Sequence, residues 1–563
     1  MNNFYNQDPN LAFVLKEYLN ASFFHWAEEE LIKYGELCAN EIDERARYTD
    51  RDGQPKLVKY DKMGNDISFV WRNEGYLKTV KQTYNRGIVG YVHKEVPALG
   101  HKGNYIYSFA QGYLLSQTEP GFYCPVTLTM ATAYLIDHYA DKKLKEKFLP
   151  HVLSTGDVEL YEGATFLTER QGGSDVGANE TRAVKEGDHY RLKGEKYFAS
   201  NAGACGVAMV LARIDDEQDG TKGLSLFLVP WRKEDGSNNN LSIRRLKDKL
   251  GVKAVPSAEV LLEGSKAYLV GEASKGFSYM AEALNLSRLC NAIASIGIMQ
   301  RAYLEAKTYA YERGAFKQKL KDFPMIRESL VKMKVKQEVE MSGIFSSIAL
   351  FDQVVNSGQH VSEEDQALNR LLIALVKKES AEQAVHFSHE AIEMHGGNGY
   401  IEDFVTPRLL RDAQVLTVWE GTENTLGLEV LRLIHKFNVH HLFFNRMRTE
   451  LASLPESLMK EADPVYEAMD DLELKITKLL NMNHSSQTYH SKRVAKELIK
   501  IYESSIALKD AARGGERKRA IAQVFLQDTW KKESFTLTEL PLTHYELIIE
   551  VNTQQAPSKM DVT

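Results

Sequence analysis

The feature that most restricts the fold is a change of texture in the middle of the chain. From about Glu159 to Leu269 the apolar residues fall in short β-rich runs: Tyr190-Arg-Leu-Lys-Gly, Gly206-Val-Ala-Met-Val-Leu-Ala212, Leu224-Ser-Leu-Phe-Leu-Val229 and Ala258-Glu-Val-Leu-Leu262. Gly, Asp and Asn clusters separate them, the pattern of an antiparallel β-domain. On either side the apolar spacing returns to three and four, the period of an amphipathic helix. Residues 13–31 and 126–149 read as helices, with a turn at Tyr60-Asp-Lys-Met-Gly-Asn-Asp66 between them. Residues 284–312, 325–355, 363–395 and 422–436 fit four long helices, hence a bundle. The rest is again helical, with linkers near Pro455 and Gly514-Gly515. The expected class is α+β, mostly α. Four units are expected: a helical domain at 1–158, a β-domain at 159–270, a helical bundle at 271–438 and a helical extension at 439–563.

At 563 residues the chain is too long for one hydrophobic core. Its 43% hydrophobic and 26% charged residues are those of an ordinary globular protein, and no apolar run reaches bilayer length. The start, Met1-Asn-Asn-Phe-Tyr-Asn-Gln-Asp-Pro, has neither signal-peptide nor transit character, and Met560-Asp-Val-Thr563 carries no peroxisomal address. Cys38, Cys124, Cys205 and Cys290 are scattered, without disulfide or zinc spacing. A cytoplasmic setting is the expectation. A formal net charge of −7 argues against whole-molecule attraction to nucleic acid.

Three stretches carry chemistry. Thr165-Phe-Leu-Thr168-Glu169-Arg-Gln-Gly172-Gly173-Ser174-Asp175 offers close backbone approach at two glycines and hydroxyls at Thr168 and Ser174. In Lys196-Tyr197-Phe198-Ala199-Ser200, an aromatic and a hydroxyl share one strand face and can stack on a ring and bond its edge. Glu393-Met-His-Gly-Gly-Asn-Gly-Tyr400-Ile-Glu-Asp403 is a glycine-rich turn, followed by Trp419-Glu420-Gly421-Thr422 with a carboxylate between an aromatic and a glycine. Taken singly, these also read as a connection, an edge strand and a tight turn.

Together, in this order and spacing, the stretches resemble the acyl-CoA dehydrogenase family of flavoproteins over roughly residues 60–436. The similarity is greatest to its AidB-like branch, through Lys59-Tyr-Asp-Lys-Met-Gly, Cys124-Pro-Val-Thr-Leu-Thr-Met, Arg245-Leu-Lys-Asp-Lys-Leu-Gly251, Trp419-Glu-Gly and the C-terminal extension. The resemblance implies bound FAD and α,β-dehydrogenation of an acyl-CoA thioester to the trans-2-enoyl-CoA. Glu420 matches the base, with a pKa raised by an apolar pocket beside Trp419; its amide, with a ribityl hydroxyl of the flavin, polarises the thioester carbonyl. Some relatives carry the base where this chain has Ser287, which cannot serve.

Phe166, Leu167, Thr168, Gly173 and Ser174 match the loop over the flavin, and Phe198 and Ser200 the strand beside its ring. Gly397, Trp419, Thr422 and Asn424 match further cofactor contacts. Ser174, Arg288 and Gly421 match substrate contacts. Arg313-Gly-Ala-Phe316 matches a motif that reaches the cofactor of a neighbouring subunit, with Lys317 where glycine usually follows, and implies a homo-oligomer, a dimer of dimers. An electron-transfer flavoprotein is the implied acceptor. No metal is expected: His386, His389 and Glu393 share a helix face that overlaps the flavin-binding stretch.

Two other functions compete with the dehydrogenase. An AidB-like protective flavoprotein of low turnover would bind DNA through the extension, where residues 492–519 hold nine Lys/Arg against four Asp/Glu. Residues 440–563 as a whole nevertheless hold 17 Lys/Arg against 18 Asp/Glu, so phosphate-driven affinity should be weak. An acyl-CoA oxidase would use oxygen as acceptor.

Overall fold

Short polar side chains divide the N-terminal helices. In a computed structural model describing residues 2–214, 219–356, 361–530 and 539–550, the helix expected over 13–31 is two helices, α1 (Pro9–Tyr18) and α2 (Ala21–Leu37). Asn20 is extended and its side chain accepts the Phe23 amide, capping α2. There follow α3 (Asp43–Arg51), a hairpin of β1 (Lys56–Tyr60) and β2 (Asp66–Trp71), α4 (Glu74–Tyr84) and α5 (Gly90–His93). A short hairpin of β3 (Glu95–Val96) and β4 (His101–Lys102) then leads to α6 (Tyr105–Ser116), α7 (Pro120–Tyr139) and α8 (Lys142–Val152). The segment expected as one helix over 126–149 divides between α7 and α8 because Asp141 caps α8 through the Leu144 amide.

The middle block contains β5 (Gly163–Phe166), β6 (Arg182–Glu186), β7 (His189–Ser200), β8 (Val207–Ile214), β9 (Leu224–Pro230), β10 (Leu241–Leu246) and β11 (Ser257–Val270). The sheet runs β10-β11-β7-β6-β8-β5, and β9 pairs with both β8 and β11, closing five strands into a ring. Its interior is filled by small, branched and aromatic residues, among them Ala183, Leu192, Val210, Phe227 and Val260. The expected antiparallel arrangement is corrected in one respect: β5 and β6 both run parallel to β8. Residue alternation reports which face is buried, not strand direction, which depends on where the chain re-enters the ring.

Helices return with α9 (Gly276–Glu312). A two-strand hairpin, β12 (Gly314–Ala315) and β13 (Gln318–Lys319), precedes α10 (Pro324–Asn356), α11 (Glu363–His395), α12 (Thr406–Leu416) and α13 (Glu423–Phe437). Helix α9 is buried on almost every side, packed against α6, α7, α10, α11 and α12, which explains why its sequence is apolar all round. The extension adds α14 (Val439–Ala452), α15 (Glu456–Leu480), α16 (His484–Arg513), α17 (Gly515–Trp530), α18 (Leu540–Thr543) and α19 (Tyr545–Ile549). Its α16 lies on α10, α11 and α13. The extension expected beyond residue 550, including residues 560–563, lies outside the described residues. No helix among the described residues is long and apolar enough to cross a membrane.

Candidate active site

The first stretch forms the end of β5 and the loop after it. Glu169 organises that loop. Its carboxylate accepts from the Glu180 amide at 2.6 Å, the Thr181 hydroxyl at 2.5 Å and the Lys196 ammonium at 2.7 Å. Lys196 is fully buried and also donates to the Leu211 carbonyl at 2.9 Å, so this ion pair is hydrogen-bonded on both sides. A Cβ on Gly173 would lie 2.6 Å from Thr168 Oγ1, so a larger residue there would displace the Thr168 hydroxyl. Gly173 and Ser174 are exposed and Thr168 is half-buried. Phe166 points into the barrel core instead, so its side chain is not available to a ligand. The Leu167 carbonyl is taken by Asn179 at 2.8 Å.

The second stretch owes its geometry to a register shift. Lys196 pairs with Val260 and Ala199 with Ala258, leaving Tyr197 and Phe198 opposite Glu259 alone. Counting by twos from buried Leu192 and Lys196 would put Phe198 inside the barrel. The extra residue turns it outward, where its side chain is 54% exposed. The Lys247 ammonium lies 4.7 Å from the Phe198 ring centre and 3.2 Å from that of Tyr197. Ser200 Oγ is 3.0 Å from Ser257 Oγ on β11. The result is an aromatic face with a hydroxyl pair beside it, open to a planar ring.

The third stretch forms the connection between α12 and α13. Trp419 packs with Cys124 and Leu128 of α7 and with Val252 and Val255 of the β10–β11 connection, joining the barrel to this loop. Beside it, Glu420 takes φ +60° and Gly421 φ +107°. Left-handed backbone at a glutamate costs on the order of 1–3 kcal/mol and persists only where surrounding contacts impose it. Here Arg288 Nε donates to the Glu420 carbonyl at 3.1 Å and Lys377 Nζ to the Gly421 carbonyl at 2.6 Å. Asn291 holds the end of α12 through the Leu416 carbonyl at 3.1 Å. Glu420 Oε2 is sealed from solvent and has no hydrogen-bond partner among the described residues. Burial raises the Glu420 pKa, opposed by the charges of Arg288 and Lys377.

The remaining expected residues are placed as follows. Arg288, expected at the substrate, is engaged with the Glu420 carbonyl. Thr422 caps α13 by accepting the Thr425 amide, and Asn424 is exposed in the first turn. Arg313 ends α9, and Phe316 sits 92% exposed at the tip of the β12–β13 hairpin. Phe316 and Lys317 both have positive φ, +49° and +67°, the geometry of a two-residue hairpin turn. Lys317 thus occupies a left-handed position where glycine is the easier residue. Gly397 is exposed in the Gly396–Tyr400 turn, with open space where a Cβ would be. Ligand atoms of His389, Glu390 and Glu393 lie within 4.8 Å of one another on the surface; His386 is not among them. The sequence reading missed Lys377 and Lys247. Lys377 left a signal: a lysine among the apolar positions of Leu371-Leu-Ile-Ala-Leu-Val-Lys377.

Three domain descriptions match the chain in succession: the AidB N-terminal domain over residues 1–156, the acyl-CoA dehydrogenase middle domain over 164–265 and the acyl-CoA dehydrogenase C-terminal domain over 274–434. Acyl-CoA dehydrogenase family member 11 of Caenorhabditis elegans is 31% identical over 91% of this chain and 85% of its own length. The chain belongs to the acyl-CoA dehydrogenase family. The putative acyl-CoA dehydrogenase AidB of Escherichia coli is 29% identical over 68% of this chain and 69% of its own. The crystal structure of Caenorhabditis elegans ACDH-11 in complex with C11-CoA superposes with a TM-score of 0.87 at 28% identity, covering 98% of this chain and 96% of that one. The family uses FAD, and this member is an FAD-dependent oxidoreductase. Outward-turned Phe198, the Ser200–Ser257 pair and the Gly173 approach fit that cofactor.

Proposed function

We propose that the chain removes two hydrogens from the Cα–Cβ bond of an acyl-CoA thioester, with Glu420 as the base. The observation that carries this reading is the sealed, unpartnered Oε2 of Glu420 on a backbone held in a strained conformation. A carboxylate without a hydrogen-bond partner has its lone pair available for the α proton, and burial makes it a stronger base than an exposed glutamate. FAD, when bound, supplies the acceptor for the β hydride, so the α C–H electrons remain as the new double bond. Phe198 and Ser200 would lie beside its ring, with Thr168, Gly173 and Ser174 over it. Trp419 excludes water from one side of Glu420 by packing on Cys124, Leu128, Val252 and Val255. Buried Ser287 offers no carboxylate, leaving Glu420 as the base.

Acyl-CoA as substrate is supported by the C11-CoA complex of the Caenorhabditis elegans relative. An electron-transfer flavoprotein as acceptor follows the family pattern. Exposed Phe316 supports a second subunit completing the cofactor site, and hence the homo-oligomer. Of the nine basic residues at 492–519 on which the DNA-binding reading rests, Arg517 and Lys518 are engaged by buried Glu338.

The test is anaerobic mixing of the yellow protein with acyl-CoAs of graded length while flavin absorbance is followed. Bleaching by one length class is expected. Glu420→Gln should keep FAD and lose bleaching by about 10²–10⁴-fold, the usual contribution of a general base. Normal bleaching in that variant would remove Glu420 from the reaction, and rapid peroxide formation in air would favour an oxidase.

A further inference from the structure

We infer that Lys377 is a positioning residue for the catalytic loop, clamping the Gly421 carbonyl while Arg288 clamps the Glu420 carbonyl, and placing a positive charge on the backbone next to Glu420. The charge half of this inference rests on Glu420 being the base; the clamp half does not.

Lys377 lies on α11, 1% exposed, and the one hydrogen bond of its ammonium among the described residues goes to the Gly421 carbonyl at 2.6 Å. No carboxylate stands within ion-pair distance of it among the described residues. Burying an ammonium without a paired anion is expensive, and a methionine of similar volume would suit the packing better. The cost is offset locally in one respect, since the bond fixes a peptide plane that the α12–α13 connection does not fix by itself. After the Trp419 amide bonds the Val415 carbonyl at 3.0 Å, helical bonding stops. The next two residues both adopt positive φ. Two charged donors from α9 and α11 then take two consecutive carbonyls. With both peptide planes held, the backbone that carries the Glu420 side chain is fixed on its C-terminal side.

The charged and titratable groups facing this point are Arg288 and Cys290 of α9, Cys124 of α7 and Lys377 of α11. Both thiols are pushed up to about 12 by burial and stay neutral. Burial brings Lys377 down to about 7, with Glu420 opposing the shift, so Lys377 carries its charge on the acid side of neutrality and the charge role applies there. Removing the lysine therefore takes one of two positive charges away from the carboxylate, and Glu420 should become harder to ionise.

The test compares Lys377→Met with the wild-type holoenzyme in two measurements. Hydrogen exchange, read by mass spectrometry on the peptide spanning residues 417–425, should quicken about tenfold or more, as expected for losing a charge-assisted hydrogen bond. The pH limb of anaerobic flavin bleaching should move to higher pH and the plateau rate should fall about 10²-fold, the effect of a small misplacement of a catalytic group. Lys377→Arg, which keeps the charge, should return the limb toward wild type. Unchanged exchange overturns the clamp, and an unmoved limb overturns the charge role. If Lys377→Met does not fold, Lys377→Leu, which also lacks a donor, carries the same outcomes in the same measurements. Retention of bleaching by Glu420→Gln would sink the base assignment alone, because exchange reads the clamp independently.

Discussion

Glu338, on α10, is fully buried and holds the C-terminal extension to the bundle. Arg517 Nη1 and Nη2 meet its two oxygens at 3.0 and 2.6 Å, Lys518 Nζ lies at 2.9 Å and Lys334 Nζ at 3.3 Å. Glu338→Gln leaves these cations with unequal fates. Lys334 keeps Asp8 at 3.2 Å, and Lys518 keeps Asn10 at 2.6 Å and Asp510 at 3.6 Å. Arg517 alone has no second carboxylate among the described residues, retaining the Ile548 carbonyl at 3.0 Å. One buried charge is therefore orphaned, not three, and the expected loss is about 3–5 kcal/mol. Urea unfolding monitored by tryptophan fluorescence should show it in the transition that releases the extension, since a chain of several domains need not unfold in one step. Arg517→Met should cost a comparable amount, and the double variant less than the sum, because both members of the pair are gone. The pH dependence has a definite sign. The three cations hold the Glu338 carboxyl well below the usual carboxylate range. Its contribution is present above the unfolded pKa of about 4.3 and is lost as pH falls from there through the folded value. The gap between wild type and variant should thus close in acid. A loss under about 1 kcal/mol at neutral pH, or strict additivity in the double variant, would refute this account.

Two further outcomes follow from the site. In the proposed role Glu420 acts as a base only when ionised, and burial raises its pKa, so the bleaching rate should climb with pH along a limb above that of an ordinary glutamate; a flat profile from pH 5 to 8 would contradict the burial argument. Phe198→Ala should weaken FAD retention about two- to tenfold, measured by flavin release on dilution, because an aromatic contact contributes about 0.5–1.5 kcal/mol beyond its area; unchanged retention would mean the ring is not stacked there.

The order of helical and β-rich segments was legible because each is a local matter of apolar period along the chain. The same holds for Glu420, whose covalent neighbours Trp419 and Gly421 already suggest an apolar wall and a turn. Helix ends were less legible, since Asn20 and Asp141 act as caps through backbone conformations that residue type only favours. That Phe198 and Ser200 share a face was legible from their spacing, whereas the turning of that face outward follows from an extra residue in the pairing of β7 with β11. The parallel direction of β5 and β6 was hidden for a similar reason. The basic run at 492–519 offered a DNA contact, but whether Arg517 and Lys518 are free for one or meet Glu338 depends on a helix about 180 residues away in sequence. By itself, the sequence determined the periodic segments, the family motifs and the place of the carboxylate proposed as the base. Tertiary structure decided which side chains meet them: Arg288 and Lys377, 132 and 44 residues from the carbonyls they hold, reach one loop only once α9 and α11 have packed together.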